Sequence, residues 1–185
     1  EFYEELYKEV KYRMENKMSL VPEEKYRLLW AGGLPPWHTL GIFNYFESKG
    51  AVFVMETAYR PWDQVEIPSG ITDPLERIAE RYWARITYRY DKARKHTRDP
   101  RVENLLELID EYDIDGMLMH VAFSCRATTI GQIHYRNLVN EWIQIPTMFM
   151  ESDIVDVRDY SEAYTKSQVD SFMEPVAVRR KNKDK

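Results

Sequence analysis

The chain has 185 residues, 44% of them hydrophobic and 14% aromatic, which is material for one core and at most a helical extension. Its 26 basic and 31 acidic residues give a formal charge of −5 with no basic block, so neither nucleic acid nor an anionic membrane is an expected partner. No apolar run approaches the roughly 18 residues of a membrane span, the charged N-terminus is not a signal peptide, and one cysteine excludes both a disulfide framework and a self-contained thiolate cluster, so a cytoplasmic protein is expected.

The first segment places Phe2, Leu6, Val10 and Met14 four apart, a helical stripe with no capping signal before it. Residues 1–20 are expected to form an N-terminal helix that continues from an upstream region. Short apolar runs then alternate with amphipathic ones. Tyr26–Trp30, Ala51–Thr57, Gly116–Phe123 and Pro146–Glu151 read as strands buried on both faces. His38–Lys49, Pro74–Tyr90, Arg101–Tyr112, Thr129–Trp142 and Ser161–Pro175 read as helices. This βαβ series predicts an α/β domain over residues 21–176, a Rossmann-like or flavodoxin-like parallel sheet of about four strands with helices on both faces. The tail from 177 to 185 lacks apolar periodicity and is expected to fray.

Ligands of such a sheet collect beyond the carboxyl ends of its strands. The tips to read are Gly32-Gly33-Leu34-Pro35-Pro36-Trp37-His38, Glu56-Thr57, Ser124-Cys125-Arg126 and Glu151-Ser152-Asp153. Cys125 stands between a strand and a helix, where amides favour a thiolate, although a lone cysteine is also commonly a small buried hydrophobe. His120 lies within a strand and reads as a core histidine, and a cysteine hydrolase has no other partner for its nucleophile nearby. The glycine pair forms neither G-x-G-x-x-G nor a P-loop, so ATP has no site here. Arg77, Arg81, Arg85 and Arg89 make a like-charged stripe that reads as a solvated or interdomain face. Glu151, Asp153, Asp156 and Asp159 could hold a divalent cation, but Arg158 among them favours a solvated, self-neutralised loop.

Several segments carry a resemblance. Glu24-Lys25-Tyr26-Arg27-Leu28-Leu29-Trp30 with Leu34-Pro35-Pro36-Trp37, Ser124-Cys125-Arg126 with Gly131-Gln132, and the run from Glu151 to Ala163 with Lys166 and Phe172 are similar, in order and spacing, to the C-terminal part of the benzoyl-CoA reductase and 2-hydroxyacyl-CoA dehydratase subunits. The resemblance implies a subunit that binds a [4Fe-4S] cluster beside a CoA thioester, with Cys125 matching a cluster ligand. It implies electrons from an ATP-dependent activator protein, and reduction of an aromatic acyl-CoA or, alternatively, ketyl-radical dehydration of a 2-hydroxyacyl-CoA. It also implies partners: an N-terminal region of the same subunit with further cluster cysteines, and a homologous second subunit. Gln168 departs from the arginine that relatives often carry. With Cys125 alone the chain is expected to be a fragment, cluster-free and inactive by itself. The reductase branch is favoured by the Cys-Arg segment with Gly131-Gln132, and Trp37, His38, Ser124 and Glu151 are the residues expected to line the substrate pocket. Two readings compete: a non-catalytic α/β protein-binding module with a structural Cys125, and, last, a flavodoxin-like electron carrier, which lacks a phosphate loop.

Overall fold

The computed structural model describes residues 1–19, 21–58, 65–94 and 99–183. Four parallel strands form its centre: β1 (Tyr26–Gly32), β2 (Ala51–Glu56), β3 (Gly116–Ala122) and β4 (Thr147–Ser152), in the order β2-β1-β3-β4. That order is the flavodoxin-like one, and it reverses between β1 and β3, which opens a crevice at their carboxyl ends. The expected α/β class therefore holds, with the flavodoxin-like alternative realised.

Each strand is apolar because both of its faces are covered. Leu28, Trp30, Leu118, Met148 and Met150 face α2 (Gly41–Glu47) and α7 (Glu162–Lys183), which insert Ile42, Phe46, Val169, Phe172 and Val176. Leu29, Ala31, Met117 and Met119 face α4 (Pro100–Glu111) and α6 (Gln132–Trp142), which insert Val102, Leu105, Leu108 and Val139. Alternate residues of one strand thus enter opposite layers, as the two-residue repeat of a strand requires. Burying each large side chain contributes about 1.5–3 kcal/mol.

Two Asp-Pro pairs start helices. Asp73 accepts from the amides of Leu75 and Glu76 ahead of α3 (Pro74–Ala93), and Asp99 accepts from those of Arg101 and Val102 ahead of α4. Proline at the first helical position loses only an amide that would have had no helical partner. The expected helix from Thr129 to Trp142 is instead two: α5 (Arg126–Thr129) and α6, separated at Gly131, whose φ of +88° suits a residue without Cβ. α1 (Phe2–Glu15) buries none of its residues, and α3 buries only Ala93.

The tail corrects an expectation. α7 does not end at Pro175, and residues 177–183 do not fray but continue it. Val176 is fully buried, the Arg179 guanidinium donates to the Gln144 carbonyl, and Arg180 and Lys183 pair with Asp113. These anchors outweigh the one helical hydrogen bond that proline removes. Residues 184 and 185 of that tail, and residue 20 at the expected boundary of the first helix, lie outside the described residues.

Candidate functional site

The carboxyl end of the sheet is organised by side chains tied to backbone. On β3, His120 is fully buried. Its Nδ1 lies 2.7 Å from the Leu34 carbonyl, which can only accept, so Nδ1 carries the hydrogen, and Nε2, 2.9 Å from Ser152 Oγ, accepts from that hydroxyl. One neutral imidazole thereby joins the turn after β1 to β3 and to the end of β4. Burial pushes its pKa below the ordinary histidine value, which keeps the ring in this form.

A second lock lies on the other side of the strand. Gln132 is 3% exposed, and its Nε2 donates to the carbonyls of His120 and Thr128, both at 2.6 Å. Gly32, with φ +95°, leaves room for it: a Cβ there would stand 2.6 Å from Gln132 Nε2. The short turn carrying Cys125 is thus held against β3.

Cys125 itself is partly exposed, as the residue before α5. The Thr128 hydroxyl, first, and the amides of Thr128 and Ala127 hold its thiol below the ordinary cysteine value, because they bond the thiolate better than the thiol. Ser124 next to it is exposed, and its hydroxyl bonds Asp153, whose carboxyl also accepts from the amides of Val155 and Asp156. These donors hold Asp153 far below the usual carboxylate range. His38 reaches the same turn, with Nε2 donating to the Asp153 carbonyl at 3.0 Å and its ring edge-on to Tyr160. The Trp37 amide donates to the Ile154 carbonyl at 2.9 Å, leaving the indole half exposed.

Of the residues expected to line a pocket, Trp37, His38 and Ser124 therefore meet at the Asp153–Ile154 turn. Glu151 does not join them: it is exposed, on the face of β4 opposite Ser152. Within the acidic loop, Arg158 pairs with Asp156 and lowers its carboxyl to about 2. Among the described residues, no group of three or more His, Cys, Asp or Glu is arranged to hold a metal ion. No described helix is long and apolar enough to cross a membrane.

A family profile described as 2-hydroxyglutaryl-CoA dehydratase, D-component, matches residues 1–176. The chain belongs to that family. One of the subunits of the benzoyl-CoA reductase of Thauera aromatica is 30% identical over 190 residues, which cover 97% of this chain and 42% of that relative. This D-component family chain thus spans less than half the length of the reductase subunit it matches.

A thiolate-bound iron–sulfur cluster, implied by the resemblance, can be tested on the residues present. Cys125 fits as one ligand, since it is accessible at a strand tip and its thiolate is favoured. It is the chain's one cysteine, so further ligands have to come from elsewhere. The pattern of residues did not single out Asp153 and Gln132 as organising groups. The Asp-x-x-Asp run after a predicted strand is a recognisable signal for a side chain that caps its own turn. Gln132 had no comparable signal beyond its place after a glycine.

Proposed function

We propose that this chain is the α/β part of an iron–sulfur acyl-CoA enzyme, in which Cys125 supplies one thiolate to a [4Fe-4S] cluster. The observation that carries the reading is the partly exposed, thiolate-favouring Cys125 at the carboxyl tip of β3, in a chain of the D-component family. When bound, such a cluster supplies low-potential electrons to the acyl thioester. The reaction we favour is reduction of an aromatic acyl-CoA with electrons from an ATP-dependent activator, in line with the identity to a benzoyl-CoA reductase subunit. Dehydration of a 2-hydroxyacyl-CoA is the second reading, favoured by the description of the family itself.

The chain's own residues then have separate tasks. His120 and Gln132 keep the Cys125 turn in place through backbone carbonyls. Trp37, half exposed, offers a surface for stacking on the substrate, and Ser124 a hydroxyl beside the thiolate. His38 commits Nε2 to the Asp153 carbonyl, which leaves Nδ1, buried and without a protein partner, to accept a proton or hydrogen bond. Glu151, on the outer face of β4, is proposed to contact substrate only from the rim. By itself the chain holds no cluster and is inactive; the other thiolates come from an upstream region or a homologous subunit.

Anaerobic iron–sulfur reconstitution of the enzyme assembly tests this, comparing wild type with Cys125→Ala by iron content and by EPR after reduction. Loss of the cluster signal in the variant is expected. An undiminished cluster overturns the ligand assignment and favours a protein-binding module, for which the exposed apolar residues of α1 and α3 would be the surface. Turnover of benzoyl-CoA against 2-hydroxyglutaryl-CoA separates the two reactions.

A further inference from the structure

Two helices leave their apolar faces open. α1, 14 residues long, buries none of its side chains, and an isolated helix of that length is marginal in water, where packing of an apolar face is the usual source of helical stability. α3 meets the body through its last turns: Ala93 is the residue it buries, Lys92 pairs with Glu107 of α4, and Arg89 lies beside Glu103. Its first three turns stand in solvent.

The two open faces carry matching rows. In α1 the apolar row Phe2, Leu6, Val10 and Met14 is preceded, one residue earlier at each step, by Glu1, Glu5, Glu9 and Arg13. In α3 the apolar row Ile78, Tyr82 and Ile86 is preceded by Arg77, Arg81 and Arg85, and Asp73, the N-cap, stands one step ahead of Arg77. Phe2, Leu6, Val10, Ile78, Tyr82 and Ile86 are between 46% and 70% exposed, far more than an amphipathic helix leaves open when its apolar face is covered.

Helix handedness decides how such rows can meet. Seen from outside with its N-terminus down, a right-handed helix places each residue to the left of the next, so both charged rows flank their apolar rows on the left. Set face to face, the two helices bring their charged rows together only when they run antiparallel, as flanking charges set orientation in coiled coils. The signs then select one register. Arg13 falls against Asp73, Glu9 against Arg77, Glu5 against Arg81 and Glu1 against Arg85, while Val10, Leu6 and Phe2 lie on Ile78, Tyr82 and Ile86. Sliding by one step of the row in either direction sets Arg13 on Arg77 or Glu9 on Asp73, a like-charged pair.

We propose that α1 of one copy of this chain packs antiparallel on α3 of a second copy, and its α3 on that copy's α1, to make a two-fold dimer. The occupant is a second copy because the acidic row and the basic row that complements it belong to one sequence. A two-fold axis also repeats the contact, and one three-turn crossing is small against the roughly 1,200 Å² at which specific interfaces begin. The apolar rows drive association and the charges fix direction and register. Glu9 pairs with Arg13 within α1, and an exposed pair of that kind is weak enough to exchange partners. This assignment does not depend on the acyl-CoA reading.

Sedimentation equilibrium of the chain, with charge reversals in each row, tests the dimer. The wild type is expected to associate reversibly as a dimer, half-formed at about micromolar concentration, the weak end for an interface of ordinary size. Arg77→Glu with Arg81→Glu, and separately Glu5→Arg with Glu9→Arg, are expected to weaken it about a hundredfold by setting like charges together. The chain carrying all four changes is expected to regain most of the wild-type affinity, which a merely structural role of these exposed residues would not produce, and unchanged melting of the variants excludes a folding defect. A wild type that stays monomeric overturns the proposal, whether α1 then covers α3 of its own chain or another protein does. A dimer indifferent to the reversals, or reversals that the fourfold variant fails to rescue, overturns it as well.

Discussion

The two ends of the sheet are built differently. At the amino end, charge meets charge: Asp115, fully buried ahead of β3, accepts from the Arg27 amide at 3.0 Å and from Lys183 Nζ at 3.0 Å, while Asp113 takes Arg180 and Lys183. At the carboxyl end, His120, Gln132 and Asp153 are bound mainly to backbone and neighbouring hydroxyls, and polar atoms remain without protein partners: Gln132 Oε1, His38 Nδ1 and Tyr160 Oη. The amino end uses its charged groups to join β1, β3 and α7, with Arg179 Nε left without a protein partner there. The carboxyl end positions its groups and leaves some unsatisfied, which is expected where a site departs from the rule that buried polar groups are paired.

The largest expected effect separates these ends. Asp115→Ala removes a buried carboxylate and leaves the Arg27 amide and Lys183 without it. Breaking such a buried pair costs about 3–5 kcal/mol, toward the lower figure here because Lys183 keeps Asp113 and some solvent. Urea denaturation measures it. The alkylation rate of Cys125 in the folded variant is expected to stay at the wild-type value, and a changed rate would show that the two ends are coupled.

The same contrast explains what could be read without coordinates. The four strands were legible because a parallel strand covered on both faces is a continuous apolar run, and α3 and α4 because they are amphipathic runs between those strands; the Asp-Pro pair that caps each emerges only from the structure. The end of α7 was not legible: proline at 175 argues for a stop, and the groups that oppose it, Asp113 and Asp115, are about seventy residues away along the chain. At the site, Cys125 and its strand-tip position were legible from local pattern. The meeting of Trp37, His38 and Ser124 depends on the Asp153–Ile154 turn, which only the sheet order brings beside them. Glu151 stayed apart because one residue along a strand reverses the face.

A smaller effect sharpens the comparison through pH. His120 has a folded-state pKa below its ordinary 6.5, chiefly through burial, so the unfolded chain binds the proton first. Its contribution to stability is full above about pH 6.5 and is lost progressively as pH falls below that value. Asp113 and Asp153 are shifted down by their donors, so theirs is full above the ordinary 3.8 and is lost only at lower pH. Stability is therefore expected to fall in two stages on acidification, the carboxyl end responding first. Replacing the imidazole with a group that does not titrate, as in His120→Gln, is expected to flatten the decline that begins below about pH 6.5 and to leave the carboxylate stage unchanged. Urea midpoints across this range check both stages, and an unaltered upper slope would mean that another group causes it.

The smallest effect concerns Cys125 alone. The Thr128 hydroxyl is the leading cause of its lowered thiol pKa, with the amides of Thr128 and Ala127 beside it. Thr128→Val keeps the shape and both amides and removes the hydroxyl, so the pH at which iodoacetamide alkylation is half-maximal is expected to move upward, toward the ordinary thiol value, without reaching it. Stability should change little, because the hydroxyl's alternative acceptor, the Cys125 carbonyl at 3.2 Å, also takes the backbone bond from Thr129. A midpoint that does not move would assign the thiolate preference to the amides. The amides of the turn would then favour the thiolate on their own, and any residue at 128 that preserved the turn would serve.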